Sequence, residues 1–155
     1  MKKLTLTAIL LLLLSTTAFA DEISDILPYL IQVESGGNPI AVSKAGAIGL
    51  SQVTPIVLEE WKNEAHKMRS SGTWIFTDLY NPEYNVRIAS WYLRRLRDHY
   101  GCKTIEQCLA GYNGGITRLR NNNYDINKMP SETKAYVKKI MRLKKEADEK
   151  NEKAN

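Results

Sequence analysis

Apolar residues recur at helical spacing along most of this chain, and the first such stretch is the segment from 21 to 34. Its repeat has steps of four, three and four residues and consists of Ile23, Leu27, Leu30 and Glu34. Residues with these separations lie on one face of an α-helix. The pattern therefore predicts a helix over 21–34 whose last residue, Glu34, lies on the apolar face.

Start signals for helices occur at four later points. Thr54 and Asn81 each precede a proline, a residue favoured at the first position of a helix. Thr104 and Ser131 are cap residues ahead of two further apolar stripes. No strand-like alternation and no internal repeat is visible in the sequence. The chain is therefore predicted to be an all-α, single-domain protein with five to seven helices, and its length suits one core.

Two glycine-rich segments interrupt these helices. The first, 36–49, starts with the breaker sequence GGNP and should end the first helix. The second, GYNGG over 111–115, is predicted to be a loop because glycine is unfavourable inside a helix. This loop would present Tyr112 and Asn113 to a ligand, although an ordinary Asn-Gly turn is the alternative interpretation.

The N-terminus has the pattern of an export signal. Lys2 and Lys3 form a basic region, an apolar run follows from 4 to 14, and Ala-Phe-Ala at 18–20 is a small-x-small cleavage site. We predict a signal peptide over 1–20 and a periplasmic or extracellular protein with no stable membrane anchor after cleavage. A retained N-terminal anchor is the alternative.

The charge of the chain limits the classes of partner. The net charge is +5, and Lys2 and Lys3 contribute two of these charges. So modest an excess of positive charge favours binding to anionic polymers such as the cell wall. It is too small for a nucleic-acid-binding surface, so no nucleic-acid partner is predicted. Residues 147–155 are charged and poor in apolar side chains, which predicts a disordered tail after a domain over 21–146.

The chain has two cysteines, Cys102 and Cys108. In an oxidising compartment a disulfide between them is favoured, and it would close only a short loop. Two separate buried or free thiols are the alternative. A metal site is not predicted, because His66 and His99 are the only histidines and neither has the spacing of a zinc finger.

Glu34 is the clearest candidate for a catalytic residue. A carboxyl group on an apolar face is desolvated, which raises its pKa and keeps it protonated near neutral pH. A structural carboxylate would need a nearby cation, and the closest in sequence is Lys44. A glutamate that ends a helix is more often a surface residue, but its apolar face and the glycine-rich turn after it favour a catalytic acid.

Several segments form an ordered set of motifs across nearly the whole mature chain. They are ESGGNP (34–39), Ser43 with GAIGLSQ (46–52), Asn81-Pro82 with Asn85, GYNGG (111–115), and Glu132-Thr133 with Tyr136-Val137. Together they resemble the soluble lytic transglycosylase family, whose domain has a fold like that of goose-type lysozyme. Two positions depart from the family pattern, since Ser51 replaces the usual Met and Gly111 the usual Ala.

The resemblance implies roles for individual residues. Glu34 is the catalytic acid, and the substrate positioners are Ser43, Gln52, Tyr112 and Asn113. Glu132 matches a second acid that contacts sugar, and Tyr136 matches a tyrosine that orients the catalytic carboxylate. Ser35 either binds sugar or caps a turn. The resemblance implies no cofactor.

The motifs supply one carboxylate, whereas most glycosidases use two. Asp98 and Asp125 are candidate partners, but neither lies in a matching segment. With a single acid, the N-acetyl group of the substrate can act as internal nucleophile. The expected reaction is cleavage between N-acetylmuramic acid and N-acetylglucosamine with a 1,6-anhydromuramyl product, in which Glu34 serves as acid and then as base.

Two other functions remain open at this point. One is a goose-type hydrolytic lysozyme, which would need an aspartate that the sequence does not identify. The other is a non-catalytic cell-wall-binding assembly module. The expected partner is peptidoglycan, and the similarity to small exported transglycosylases suggests a secretion, conjugation or pilus apparatus as a second one.

Overall fold

The computed structural model describes residues 22–67 and 75–154. In this part of the chain there are six α-helices, which are α1 (22–34), α2 (Pro55–Lys67), α3 (Pro82–Asp98), α4 (Ile105–Gly114), α5 (Ile116–Asn121) and α6 (Ser131–Ala154). Two short 3-10 helices lie at Phe76–Tyr80 and Ile126–Lys128. The prediction of an all-α fold with five to seven helices is confirmed. The predicted signal peptide over 1–20 lies outside the described residues.

The core forms where α4 packs against α3, α5 and α6. Its fully buried side chains include Leu93 and Leu96 of α3, Leu109 of α4 and Ile140 of α6. Three of the four predicted caps are present, since the side chains of Thr54, Asn81 and Thr104 accept hydrogen bonds from the backbone N–H groups of Val57, Tyr84 and Gln107. The prediction for Ser131 was wrong, because Ser131 is already the first residue of α6. Among the described helices, none is long and apolar enough to cross a membrane.

The GYNGG segment is helical up to Gly114, so the prediction of a loop at 111–115 was wrong. The reason is close packing. A Cβ on Gly111 would lie 3.1 Å from a methyl carbon of Leu96, and a Cβ on Gly114 would lie 2.5 Å from the terminal carbon of Met129. These glycines let α4 approach its neighbours, and the helix ends only at Gly115, where φ is +85°.

The segment between α1 and α2 folds back on itself and is fixed by Asn85 of α3. The buried Asn85 side chain donates to the carbonyl oxygens of Ile48 (2.8 Å) and Leu79 (2.9 Å) and accepts from the N–H of Ser51 (2.8 Å). Gly49 passes so close that a Cβ there would lie 2.2 Å from the Asn85 amide nitrogen. Asn85 therefore holds the turn that precedes Gln52.

The two cysteines are free, buried thiols, which corrects the prediction of a disulfide. They lie close enough for a hydrogen bond between the Cys108 thiol and the Cys102 sulfur, and this bond lowers the pKa of Cys102. The alternative of two buried thiols is thus the one that the structure has. Their proximity comes from α4, which brings Cys108 back to the end of α3.

The charged C-terminal stretch also differs from its prediction. Residues 147–154 are the last turns of α6 rather than a disordered tail. Ion pairs at i,i+4 spacing run along this helix, from Lys144 to Asp148 (2.7 Å) and from Lys145 to Glu149 (3.7 Å). Such pairs and the strong helix formers Glu, Lys and Ala stabilise the C-terminal end of α6, which has no apolar face.

Candidate active site

Glu34 is the last residue of α1, and its half-buried side chain reaches α6. The Tyr136 hydroxyl donates a hydrogen bond of 2.6 Å to Oε1 of Glu34. This bond joins two residues 102 positions apart in the chain, so it depends on the packing of α1 against α6. It fixes one carboxylate oxygen, and the other accepts no hydrogen bond from the described residues. The carboxyl group is thus held in position but keeps one oxygen for a ligand.

Glu34 lies in the wall of a hollow of about 310 Å³. Its other lining residues come from the folded-back segment, α2, α3, α4 and α6, and they are Ser43, Ala45, Ala47, Gln52, Thr54, Val57, Tyr92, Tyr112, Asn113 and Glu132. Six of the eight predicted site residues therefore meet in one hollow. Tyr136 reaches it through its bond to Glu34, whereas Ser35 is not in its lining.

Burial is the main influence on the ionisation of Glu34. It raises the pKa from 4.5 to about 7, although the hydrogen bond from Tyr136 acts in the opposite direction. No ion pair to Glu34 forms within the described parts of the chain, and Lys44, its nearest cation in sequence, is exposed. The sequence-based expectation of a desolvated, protonated carboxyl group is thus met by the structure. Such a group can donate a proton at neutral pH.

Gln52 and Ser43 are held by the backbone around them. Gln52 has a positive φ of 51°, and its side-chain amide donates to the carbonyl oxygens of Ala41 (3.2 Å) and Gly49 (3.0 Å). The Ser43 hydroxyl oxygen accepts from the N–H of Ala47 (3.0 Å). The amide oxygen of Gln52 and the hydroxyl proton of Ser43 therefore remain for a ligand.

Tyr112 forms the inner wall of the hollow. Its hydroxyl donates to the carbonyl oxygen of Ser51 (2.8 Å), and its ring packs at 5.7 Å from that of Tyr92. Burial, with Glu34 nearby, holds the pKa of both Tyr112 and Tyr136 well above the ordinary range. Both phenols therefore stay protonated. Asn113 and Glu132 are exposed on the rim.

Ser35 has a structural hydrogen-bonding role. Its hydroxyl donates to the carbonyl oxygen of Leu50 (2.8 Å) and accepts from the N–H of Gly37 (3.2 Å). These two bonds fix the turn after α1 and tie it to the segment that carries Gln52. Of the two alternatives for Ser35, the geometry favours the turn cap over a sugar contact.

The candidate second carboxylates lie elsewhere. Asp98 pairs with the neighbouring Arg97 at 2.6 Å. Asp125 caps a 3-10 helix by accepting from the N–H of Asn127 at 3.0 Å. Glu132 is thus the only other acid in the lining of the hollow among the described residues. No group of three or more potential metal ligands occurs in this part of the chain either.

Sequence reasoning missed two residues that shape this site. Tyr92 lines the hollow, but in the sequence it is one of many apolar positions on α3, and nothing marks it as different. Asn85 belongs to the motif that consists of Asn81-Pro82 and Asn85, but no role is predicted for it from the sequence. A signal for it existed, because an asparagine inside an apolar helix needs hydrogen-bond partners when it is buried.

Comparison with known proteins shows which protein family the chain matches. Residues 22–135 match the family model described as transglycosylase SLT domain. The endo-type membrane-bound lytic murein transglycosylase A of Klebsiella pneumoniae subsp. pneumoniae is 38% identical over 69 residues, which cover 44% of this chain and 33% of that protein. The chain thus spans about a third of the length of the curated relatives it matches.

Two solved structures of lytic transglycosylases have a fold similar to that of this chain. The 70 kDa soluble lytic transglycosylase SLT70 of Escherichia coli matches with a TM-score of 0.63 and 25% identity, over 77% of this chain and 21% of that one. An inactive mutant of the lytic transglycosylase Slt of Pseudomonas aeruginosa matches with a TM-score of 0.64 and 21% identity, over 78% and 20%. The second likeness bears on the fold alone.

Proposed function

The chain belongs to the transglycosylase SLT domain family, and on that premise we propose that it is a peptidoglycan lytic transglycosylase. Its reaction is cleavage of the β-1,4 bond between N-acetylmuramic acid and N-acetylglucosamine, with a 1,6-anhydromuramyl product. The observation that carries this proposal is the half-buried Glu34, whose pKa of about 7 leaves a proton to donate inside a ligand-sized hollow. The catalytic domain proposed for this reaction covers 21–146.

In the first step Glu34 is a general acid. Its proton passes to the glycosidic oxygen, the bond from that oxygen to C1 of the muramyl unit breaks, and N-acetylglucosamine leaves as an alcohol. The carbonyl oxygen of the muramyl N-acetyl group bonds to C1 in its place, as in other substrate-assisted glycosidases. Glu34 is then a carboxylate, and the hydrogen bond from Tyr136 stabilises that charge.

In the second step Glu34 is a general base. The carboxylate takes the proton of the muramyl C6 hydroxyl, and the oxygen of that hydroxyl bonds to C1 and displaces the N-acetyl oxygen. The product is the 1,6-anhydro sugar, Glu34 regains its proton, and no water is consumed. One group can act in both directions because its pKa lies close to the working pH.

The other residues of the hollow position the substrate. Tyr136 orients Glu34, and Gln52 and Ser43 present an amide oxygen and a hydroxyl proton to the glycan. Tyr112 forms the floor beside the reacting sugar, while Asn113 and Glu132 contact it from the rim. These roles agree with the burial of Tyr136, the partial burial of Tyr112 and the exposure of the rim residues.

Two alternatives are less well supported. A hydrolytic lysozyme with two carboxylates would need a second acid positioned to activate water, and the one other acid in the lining of the described hollow, Glu132, is exposed on its rim. A non-catalytic binding module has no use for a carboxyl group that burial keeps protonated. We further propose that the protein acts after export and that a secretion, conjugation or pilus apparatus is its setting.

Substitution of Glu34 by glutamine tests the proposal on purified peptidoglycan. Glu34→Gln keeps the shape and the acceptor for Tyr136 but cannot transfer a proton, so release of muropeptides should fall by roughly 10²–10⁴-fold. Glu152→Gln, the same change on the exposed end of α6, is the matched control and should release them at the wild-type rate. Near-wild-type release by Glu34→Gln would rule out the assignment.

A further inference from the structure

A second hollow opens beside the proposed catalytic one, and Tyr92 lines both. Its volume is about 540 Å³, compared with about 310 Å³ for the hollow around Glu34. The two walls also continue along the chain, because Asn113 lines the first hollow and the next residue, Gly114, lines the second. A single groove therefore runs from Glu34 past Tyr92 to the start of α5.

Part of the wall of the second hollow is apolar although it faces solvent. Ile56, in the first turn of α2, is 78% exposed, and Ile116, at the start of α5, is half-buried. At Gly115 the backbone is open, because a Cβ there would meet no atom within 4 Å. Sugar rings present C–H faces that pack against apolar side chains, so this wall suits further units of a glycan strand.

The second hollow also contains one cation among its described lining residues, the guanidinium of Arg118. The Arg118 side chain is exposed and forms no ion pair or hydrogen bond with another described residue. Two amide side chains, those of Asn121 and Asn122, lie in the same wall. Arg120 lies two residues further along α5, about 200° around the helix axis, and is outside this lining. The groove thus brings one uncompensated positive charge to the path of the glycan.

We propose that Arg118 is a specificity-determining residue that binds a carboxylate of the peptide attached to the muramyl unit. This inference rests on the proposed function of the Glu34 site, since it places the same strand in the adjoining hollow. A guanidinium donates two parallel N–H bonds to one carboxylate, which makes it selective for that group over a neutral hydroxyl. The sugar rings contact Ile56 and Ile116, and the peptide carboxylate meets Arg118.

The test compares two substrates and two arginine variants. Soluble glycan strands that carry their peptides are assayed beside the same strands after an amidase has removed the peptides and the lactyl carboxylate that this exposes has been converted to a neutral amide, and kcat/KM is measured on each. Arg118→Gln should lower the ratio of the two values, peptide-bearing over bare, by about fivefold to tenfold, since solvent weakens a bond to an exposed charge. Arg120→Gln removes the same charge from the same helix and should leave the ratio unchanged.

The outcomes separate this proposal from the one on which it rests. An unchanged ratio in Arg118→Gln, or an equal fall in both variants, would overturn the role of Arg118 while the wild-type enzyme still forms anhydromuramyl product. If the wild-type protein forms no such product from either substrate, both proposals fail. Melting temperatures of the two variants, expected to match because both side chains are exposed, verify that the comparison concerns binding.

Discussion

Glu34 should destabilise the protein at neutral and alkaline pH, and Glu34→Gln should remove that cost. The folded state holds the pKa of Glu34 at about 7, whereas the ordinary value is 4.5. Because the folded pKa is raised, the folded state binds the proton more tightly than the unfolded state does. The contribution of Glu34 to the free energy of unfolding is therefore fully present below pH 4.5, falls as the pH rises from 4.5, and is lost above about 7.

The size of the effect follows from the two pKa values. Each pH unit between 4.5 and about 7 costs about 1.4 kcal/mol, which gives about 3 kcal/mol in total. Glutamine is neutral at every pH and offers Tyr136 the same carbonyl acceptor. We therefore expect the difference in unfolding free energy between Glu34→Gln and wild type to grow by about 3 kcal/mol, in favour of the variant, from low to high pH.

Urea denaturation measures this difference directly. Wild type and Glu34→Gln are unfolded at about pH 4 and about pH 8, and their midpoints are compared at each pH with their slopes checked for equality. Glu152→Gln, on an exposed part of α6, is the control and should show no pH-dependent gain. If the advantage of Glu34→Gln is the same at both pH values, Glu34 is not desolvated and the central electrostatic reasoning fails.

Three further predictions concern the surroundings of Glu34. Tyr136→Phe removes the hydrogen bond that lowers the pKa of Glu34. In a pH–rate profile, the pH at which kcat/KM falls on the alkaline side should therefore rise by about one unit. An alkaline limb at the wild-type pH would contradict this. Asn85→Leu leaves three buried backbone groups without the hydrogen bonds that the Asn85 side chain forms with them. It should lower the unfolding free energy, measured in urea, by roughly 3–5 kcal/mol. A loss below about 1 kcal/mol would contradict the proposed role of Asn85 in holding this turn. Gly114→Ala puts a methyl group against Met129 and should cost about 1–3 kcal/mol in the same assay, whereas a more stable variant would mean that α4 can shift away from α6.

The sequence was informative about Glu34, the proposed catalytic acid, because the evidence for its burial is local. Helical spacing alone placed Glu34 on the apolar face of α1, and the raised pKa follows from that burial. The caps at Thr104 and Asn81 were equally local and were recognised for the same reason. The resemblance supplied five further residues of the lining, which are Ser43, Gln52, Tyr112, Asn113 and Glu132.

Two features that sequence reasoning missed, the helical end of the GYNGG segment and the place of Tyr92, depend on contacts between distant segments. Gly114 suggested a loop, but its lack of a side chain makes room for Met129, and spacing along the chain does not show that neighbour. Tyr92 reaches the hollow only because α3 lies behind α4. The tail after Glu146 lacks an apolar stripe, so pattern reasoning missed a helix that ion pairs along its own surface stabilise.

The central claim is that Glu34 transfers a proton in both directions while the substrate supplies its own nucleophile. Digestion of peptidoglycan in water enriched in the heavy oxygen isotope, followed by mass spectrometry of the muropeptides, tests it most directly. The account predicts muramyl ends that are one water lighter than the reducing sugar and carry no heavy oxygen. Reducing muramic acid with one heavy oxygen at C1 would show that water attacks instead, and would contradict the account.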